Sequence, residues 1–188
     1  RMRGRGQQLL LMVDFLERIL SATLLGLSSG AIYALIALGI VVVFRGTGHL
    51  NFAQGEMATL CAYVAWSVSH STFFGFTPPL WMATIVAMIF GFVLGAGTEV
   101  VIVHPLSKRS PLAVFVALIA LFLAINAFNN AKWGDSVPNT IGSLFPNQPT
   151  DFVRVLGNAW RWRDIGALAM MLVVAGLLYV LFQRTKAG

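Results

Sequence analysis

Charge is scarce in this sequence. Asp, Glu, Lys and Arg together account for 11% of its 188 residues, while hydrophobic residues account for 57%. An ordinary soluble domain is about 25% charged, and a soluble protein of this length could not cover its surface with so few charged side chains. The composition therefore excludes an ordinary soluble domain and favours a protein that lies largely in lipid.

Motifs that carry chemistry are also missing. The one cysteine, Cys61, lies in an apolar run, so there is no disulfide framework and no cysteine metal cluster. His49, His70 and His104 lack metal-ligand spacing, and the sequence has no G-x-x-x-x-G-K-[ST] loop, G-x-S-x-G elbow or H-E-x-x-H motif. We predict no catalytic residue, no metal and no cofactor, and we expect any energy source to reside on another chain.

Long apolar runs are what the sequence has in abundance. Pro78-Pro79 cannot continue a helix and divides the longest run. Since a hydrocarbon core of roughly 30 Å needs about 20 helical residues, every resulting run can cross it. We predict an all-α integral membrane protein whose transmembrane domain covers residues 19–188, with five helices at about 19–44, 52–74, 80–103, 110–130 and 165–183.

The other segments are assigned to the membrane surface. Residues 1–18 are predicted to be an N-terminal interfacial segment, and residues 131–164, with tryptophans at both ends, an external loop with at most a short surface helix. The formal net charge of +6 comes from basic residues between apolar runs, where they set topology. They predict contact with lipid rather than with nucleic acid. Arg45, Lys108 and Arg109 favour one face as cytoplasmic, whereas the arginines at positions 1–5 favour the opposite face.

The connection between the first two predicted helices is unusually polar. Three glycines make a regular helix unfavourable here by about 1 kcal/mol each, and discontinuous helices often build solute sites in transporters. An ordinary hydrophilic turn at the membrane surface explains the same pattern. We predict that Asn51, Gln54, Gly55 and Glu56 line a translocation path. The segment contains Arg45, Gly46, Gly48, His49, Asn51, Gln54, Gly55 and Glu56.

Small residues at four-residue spacing form faces on two of the predicted helices. Gly26 and Gly30 share one face, and Gly91 and Gly95 share another that Glu99 continues. Because packing drives helix association in lipid, we predict that these four glycines mediate helix packing. Glu99 either extends toward nearby basic residues or takes part in transport. Likewise, the asparagines at positions 126, 129 and 130 either line a pore or form capping and interhelical hydrogen bonds.

Several stretches resemble the branched-chain amino-acid ABC-importer permeases. Gly26–Gly39 reads GLSSGAIYALIALG and Asn51–Glu56 reads NFAQGE, while Glu99–Leu106 and Leu178–Gly188 agree in order and rough spacing. The resemblance covers most of the chain from Leu20 onward. It departs at Gln54, where the family usually has His, and at His104, where the family usually has Arg.

The resemblance implies an ABC-importer permease-like fold in the bacterial inner membrane. It implies a permease subunit that carries branched-chain or related amino acids by alternating access. The implied partners are a second permease subunit, cytoplasmic ATPase subunits, a periplasmic solute-binding protein and membrane lipid. Close relatives carry urea or short amides instead. Family members continue past the counterpart of Gly188 into a cytoplasmic coupling loop, so we expect a C-terminal truncation, and a non-transporting structural membrane subunit stays an alternative.

Overall fold

The computed structural model describes residues 2–72, 77–134, 152–155 and 158–184. Helices dominate the described chain, and a single antiparallel hairpin accompanies them. In chain order the elements are α1 (Met2–Thr47), α2 (Gln54–His70), α3 (Leu80–Thr98), a π-helical turn (Glu99–Val103), α4 (His104–Ser107), α5 (Pro111–Trp133), β1 (Phe152–Val155), β2 (Asn158–Arg161) and α6 (Trp162–Arg184).

Within the described residues, four helical segments are long and apolar enough to cross a membrane. Only 6–17% of the residues in their most apolar windows are buried within the chain, so most of their apolar side chains face outward, where only lipid or another apolar surface would cover them. The prediction of an all-α, multi-pass membrane fold is confirmed. The four segments are Met12–Thr47, Leu80–Ser107, Pro111–Trp133 and Trp162–Arg184.

The second predicted span is represented by α2, which has 17 residues and is therefore about 25 Å long. The structure starts this helix at Gln54 and ends it at His70, whereas the sequence predicts residues 52–74, of which 73–76 lie outside the described residues. That α2 crosses the membrane by itself stays a prediction. The interfacial assignment of residues 1–18 also stays a prediction, and the structure begins α1 at Met2.

The predicted external loop contains strands where the sequence predicted at most a short helix. β1 and β2 pair antiparallel, with Phe152 opposite Arg161 and Val155 opposite Asn158. Val, Phe and Trp favour strands because their side chains suit a pleated surface, which explains the hairpin. Residues 135–151 of the predicted loop lie outside the described residues.

The chain divides into two compact units. The central unit comprises residues 40–144, and the terminal unit comprises residues 1–39 and 145–188. In the central unit, α2 packs against both α3 and α5. One buried cluster there consists of Ala53, Met57, Leu60, Ile125 and Trp133, and a second consists of Val103, Val114 and Leu118.

In the terminal unit, a hydrogen bond joins α1 to β2. The Trp160 indole N–H donates to Ser28 Oγ at 3.2 Å, and the Ser28 hydroxyl donates in turn to the Leu24 carbonyl at 3.0 Å. Ser28 is 5% exposed. The indole therefore gives a buried hydroxyl a second partner, as buried polar groups require.

Candidate functional site

The break between α1 and α2 begins at Gly48. Its φ of 70° lies in the left-handed region that favours glycine, and its N–H donates to the Phe44 carbonyl at 2.8 Å. This is the geometry of a glycine cap at a helix C-terminus. The backbone then leaves the helical path until α2 starts at Gln54. The glycine-interrupted segment of the sequence therefore is a real helix break.

Asn51 organises the start of α2. Its Oδ1 accepts the Ala53 N–H at 3.0 Å, and its backbone carbonyl accepts the Gln54 N–H at 3.2 Å. These bonds satisfy two of the N–H groups that a helix start leaves without intrahelical partners. Gly55 follows in the first turn, and nothing lies within 4 Å of a Cβ built on it.

Glu56 is held by two asparagines of α5. Asn126 Nδ2 donates to Glu56 Oε1 at 3.0 Å, and Asn129 Nδ2 donates to Glu56 Oε2 at 3.2 Å. Asn129 is only 3% exposed. Within the described part of the chain, Glu56 forms no salt bridge, so amide donors alone compensate the carboxylate. Interhelical hydrogen bonding is thus the role that the structure gives to these two asparagines, while Asn130 donates to Asn126 Oδ1 at 3.1 Å.

These contacts place Glu56 at the depth of the α5 interior. Asn126 lies about 15 residues after Pro111, the first residue of α5, which corresponds to about 22 Å along the helix axis. About 10 Å of α5 remain between Asn126 and Trp133. The start of α2 is therefore level with residues 126–129 of α5, a helix that is long enough to cross a membrane.

The far end of α2 is fixed to the end of α5 by aromatic groups. Tyr63 and Trp133 stack with ring centroids 5.0 Å apart and planes 2° apart, and the Trp133 N–H donates to Ser67 Oγ at 3.1 Å. The Lys132 Nζ lies 4.6 Å from the Trp133 ring centroid, within cation–π range. This end of α2 is both hydrogen-bonded and packed against α5.

Three buried polar atoms around the break lack hydrogen-bond partners. They are His49 Nε2, Gln54 Oε1 and Asn129 Oδ1. A buried polar atom without a partner costs about 1–3 kcal/mol, and native proteins keep few of them. Their concentration at one helix break marks this region as a candidate binding site.

A cavity of about 450 Å³ lies beside the break, within the central unit. Asn51 lines it, whereas Gln54, Gly55 and Glu56 are absent from its walls. Its walls come from the last turns of α1, the break, α3, the π-helical turn and α5. They consist of Val42, Val43, Gly46, Thr47, His49, Asn51, Gly91, Phe92, Gly95, Ala96, Thr98, Glu99, Val103 and Leu118.

Sequence reasoning did not bring His49 and Glu99 into one site. Glu99 lines this cavity, and within the described residues it forms no salt bridge with His104, Lys108 or Arg109. The sequence did contain one indication of this arrangement. Gly91, Gly95 and Glu99 are four residues apart and so share a helix face, and all three line the cavity. No group of three or more His, Cys, Asp and Glu among the described residues could hold a metal ion.

The four glycines predicted to mediate packing have different surroundings. A Cβ built on Gly91 would lie 3.0 Å from Cys61 Sγ, so α2 approaches α3 closely at this point. Nothing among the described residues lies within 4 Å of a Cβ built on Gly26, Gly30 or Gly95. A packing role for those three stays a prediction, and for Gly26 and Gly30 it calls for a neighbour other than the described residues.

Comparison with known proteins identifies the family. Searches of curated proteins and of solved structures gave no significant match. A family model described as branched-chain amino acid transport system / permease component matches residues 22–188. Of the four described segments that are long and apolar enough to span a membrane, this range contains three completely and most of the first, Met12–Thr47. The chain therefore belongs to the family of branched-chain amino acid transport permease components and is a multi-pass membrane protein.

Proposed function

We propose that this chain is the membrane-spanning permease subunit of an ATP-binding-cassette importer for branched-chain or related amino acids, located in the bacterial inner membrane. The family match supports the transport role. The sequence carries no nucleotide-binding loop, so ATP hydrolysis belongs to separate cytoplasmic ATPase subunits. A second permease subunit and a periplasmic solute-binding protein complete the proposed importer.

The translocation path runs past the start of α2 and includes Asn51, Gln54, Gly55 and Glu56. The observation that carries this proposal is the position of Glu56, whose contacts with Asn126 and Asn129 bring a carboxylate and a helix start to the depth of the α5 interior. Irregular backbone at such depth is tolerated where it is enclosed by protein or lines water. The unpartnered Gln54 Oε1 supports a polar path at the same place.

The path residues move between two accessible states during transport. Glu56 holds α2 to α5 through hydrogen bonds from side-chain amides. Donors of water or solute can replace these amides, each of which contributes about 1.5–3 kcal/mol to a charged acceptor. The break gives α2 a start that is not continuous with α1. In the proposed cycle, the ATPases rock the two permease subunits between outward-facing and inward-facing forms, which opens the path on alternate sides.

Uptake by reconstituted vesicles tests the function. The full-length permease, its ATPases and its binding protein are reconstituted, and entry of labelled leucine, isoleucine, valine, urea and acetamide is measured with and without ATP. We expect ATP-dependent entry of the branched-chain amino acids and none with a hydrolysis-deficient ATPase. Entry of urea or acetamide alone would assign the permease to the other solute class. A complex that forms but moves none of the five solutes would contradict the proposed function.

Cysteine accessibility tests the path. In a Cys61→Ala background, Gln54→Cys is expected to react with a water-soluble thiol reagent in the assembled complex. Met88→Cys is the control, because Met88 is 70% exposed on α3 and lies outside the break. Failure of Gln54→Cys to react from either side of the membrane would remove it from the path.

A further inference from the structure

We propose that the cavity beside the helix break binds the positively charged amino group of the solute, with the Glu99 carboxylate and His49 Nε2 as its acceptors. The inference rests on the proposed function, because it assigns a chemical group of the transported solute to a particular site. The inference extends the proposed path to residues of α3 and the π-helical turn. The predicted path residues Gln54, Gly55 and Glu56 are not part of this cavity wall.

One contact assigns the tautomer of the neutral His49 ring. His49 Nδ1 lies 2.9 Å from the Thr47 carbonyl oxygen. Because a carbonyl oxygen can only accept, Nδ1 carries the proton, and in a neutral imidazole Nε2 then presents a lone pair. Nε2 is buried and has no partner, and His49 lines the cavity. The ring therefore offers a free acceptor that its own surroundings do not use.

The threonine hydroxyls add to this pattern. Thr98 donates its hydroxyl proton to the Leu94 carbonyl at 2.8 Å, and Thr47 donates to the Val43 carbonyl at 2.9 Å. The Thr47 hydroxyl also lies 3.0 Å from the His49 carbonyl oxygen and accepts the His49 N–H at 3.2 Å. Both hydroxyl protons therefore have acceptors within the protein, and neither threonine offers the cavity a free donor. Glu99 is the one acidic residue of the lining, and no Lys or Arg is found among the lining residues. The polar part of the wall is therefore suited to a cation with N–H donors.

The rest of the wall suits an aliphatic body. Val42, Val43, Phe92, Val103 and Leu118 supply apolar surface, while Gly91 and Gly95 leave room because they have no side chain. A cavity of about 450 Å³ falls within the range of small-molecule sites, about 300–1,000 Å³. A solute with an ammonium group next to a hydrocarbon chain would match this cavity, because the ammonium group suits the polar lining residues and the hydrocarbon chain suits the apolar ones.

The charge selectivity of the cavity can be measured without transport. Gly95→Cys, in a Cys61→Ala background, introduces a thiol where a Cβ meets nothing within 4 Å. Gly97→Cys is the matched control, since Gly97 lies on the same helix, has equally free space and is not part of the cavity wall. The chain is held in lipid nanodiscs and treated with cationic or anionic methanethiosulfonate reagents, with rates normalised to a free thiol.

We expect the cationic reagent to modify Gly95→Cys about tenfold faster than the anionic one, because a cleft lined by one sign of charge concentrates the opposite sign. Adding Glu99→Gln should remove most of this preference, and Gly97→Cys should show little. Equal rates at Gly95→Cys, or no reaction with either reagent, would overturn the proposal. Ala96→Cys, which also lines the cavity, serves as the second position if Gly95→Cys does not fold.

Protection identifies the chemical group that is bound. Leucine and isoamylamine, which carry an amino group, should slow modification of Gly95→Cys, whereas isocaproate, which carries only the carboxylate, should not. Protection by isocaproate but not by isoamylamine would overturn the assignment. Because this experiment needs neither ATP nor partner subunits, its failure is distinguishable from a failure of vesicle uptake, which would instead contradict the importer role.

Discussion

The central unit contains two short polar connections between helices, and they are built differently. Residues 108–110 join α4 to α5 with an exposed Lys108 and Arg109, and Ser110 caps α5 by accepting the Leu112 N–H at 3.2 Å. Residues 48–53 join α1 to α2, where Ala53 provides no side-chain cap and His49 Nε2 has no partner. Among the buried side-chain atoms of these two connections, His49 Nε2 of the second lacks a partner and none of the first does.

The difference shows what separates a surface turn from a helix break inside a membrane protein. A turn at the surface needs only local caps and water, and its basic residues contact lipid headgroups. A break at the depth of the α5 interior has to find partners on other helices, as Glu56 does with Asn126 and Asn129. Unpartnered polar groups at such a break lower the stability of the fold, and they are one observation on which the proposed path rests.

The largest expected effect comes from removing the carboxylate that ties the break to α5. Glu56→Ala removes the carboxylate acceptor of both Asn126 and Asn129 and leaves Asn129 only the Glu56 backbone carbonyl, at 3.5 Å, which costs about 1–3 kcal/mol for the unpaired amide. We expect a clear fall in the thermal unfolding temperature and loss of vesicle uptake. Glu56→Gln keeps one acceptor oxygen and should lose less stability, and Lys108→Ala is the control at the surface turn. An unchanged unfolding temperature for Glu56→Ala would mean that these bonds do not hold α2.

A smaller effect is expected at the glycine where α1 ends. Gly48→Ala forces an L-residue to φ 70°, which costs about 1–2 kcal/mol. Gly46→Ala is the matched control, because Gly46 lies within α1 and a Cβ there meets nothing within 4 Å. In an α-helix, alanine is favoured over glycine by up to about 1 kcal/mol. The two variants should therefore move the unfolding temperature in opposite directions, and a shared direction would contradict this account of the break.

A substitution in the connection between α4 and α5 should lower the stability of the protein without lowering its transport activity. Ser110→Ala removes the side-chain cap of α5, which is worth about 1 kcal/mol. We expect a modest decrease in unfolding temperature, and uptake per folded molecule close to that of the unchanged protein. Ser110→Asp, which keeps a capping oxygen, should restore stability. If Ser110→Ala lost uptake without a matching loss of folded protein, the proposal that only the connection at residues 48–53 takes part in transport would be contradicted.

The smallest effect is expected where α3 approaches α2. In Gly91→Ala, the new Cβ would lie 3.0 Å from Cys61 Sγ, so crowding should offset most of the helix-propensity gain of about 1 kcal/mol. The same substitution in a Cys61→Ala background should retain that gain. Gly95→Ala, with free space around its Cβ, should gain stability in both backgrounds. Unfolding temperatures of the resulting double-mutant cycle measure this coupling.

Much of the fold could be predicted from local patterns. Pro79 before Leu80 and Ser110-Pro111 before Leu112 mark helix starts in the sequence, and α3 and α5 begin there. The glycines around position 48 likewise predict the break that the structure contains. These features depend on backbone preferences of single residues, so they can be recognised without knowing the neighbouring helices.

The hairpin and the site could not be predicted in the same way. From the sequence alone, these residues were also compatible with a short surface helix, so the pairing of β1 with β2 could not be predicted. Partners such as Glu56 with Asn129, or Trp160 with Ser28, are separated by 73 and 132 residues along the chain. Nothing local in the sequence indicates which of several asparagines or serines meets a given side chain.

The sequence by itself determined that this protein lies in a membrane as helices and where its principal helix break falls, because composition, apolar run length and glycine conformation are local properties. Only the tertiary structure decided that Glu56 meets two asparagines at the depth of the α5 interior, and that His49 and Glu99 line one cavity. Those contacts depend on how α2, α3 and α5 pack, and packing in lipid is set by the fit of whole surfaces rather than by single residues.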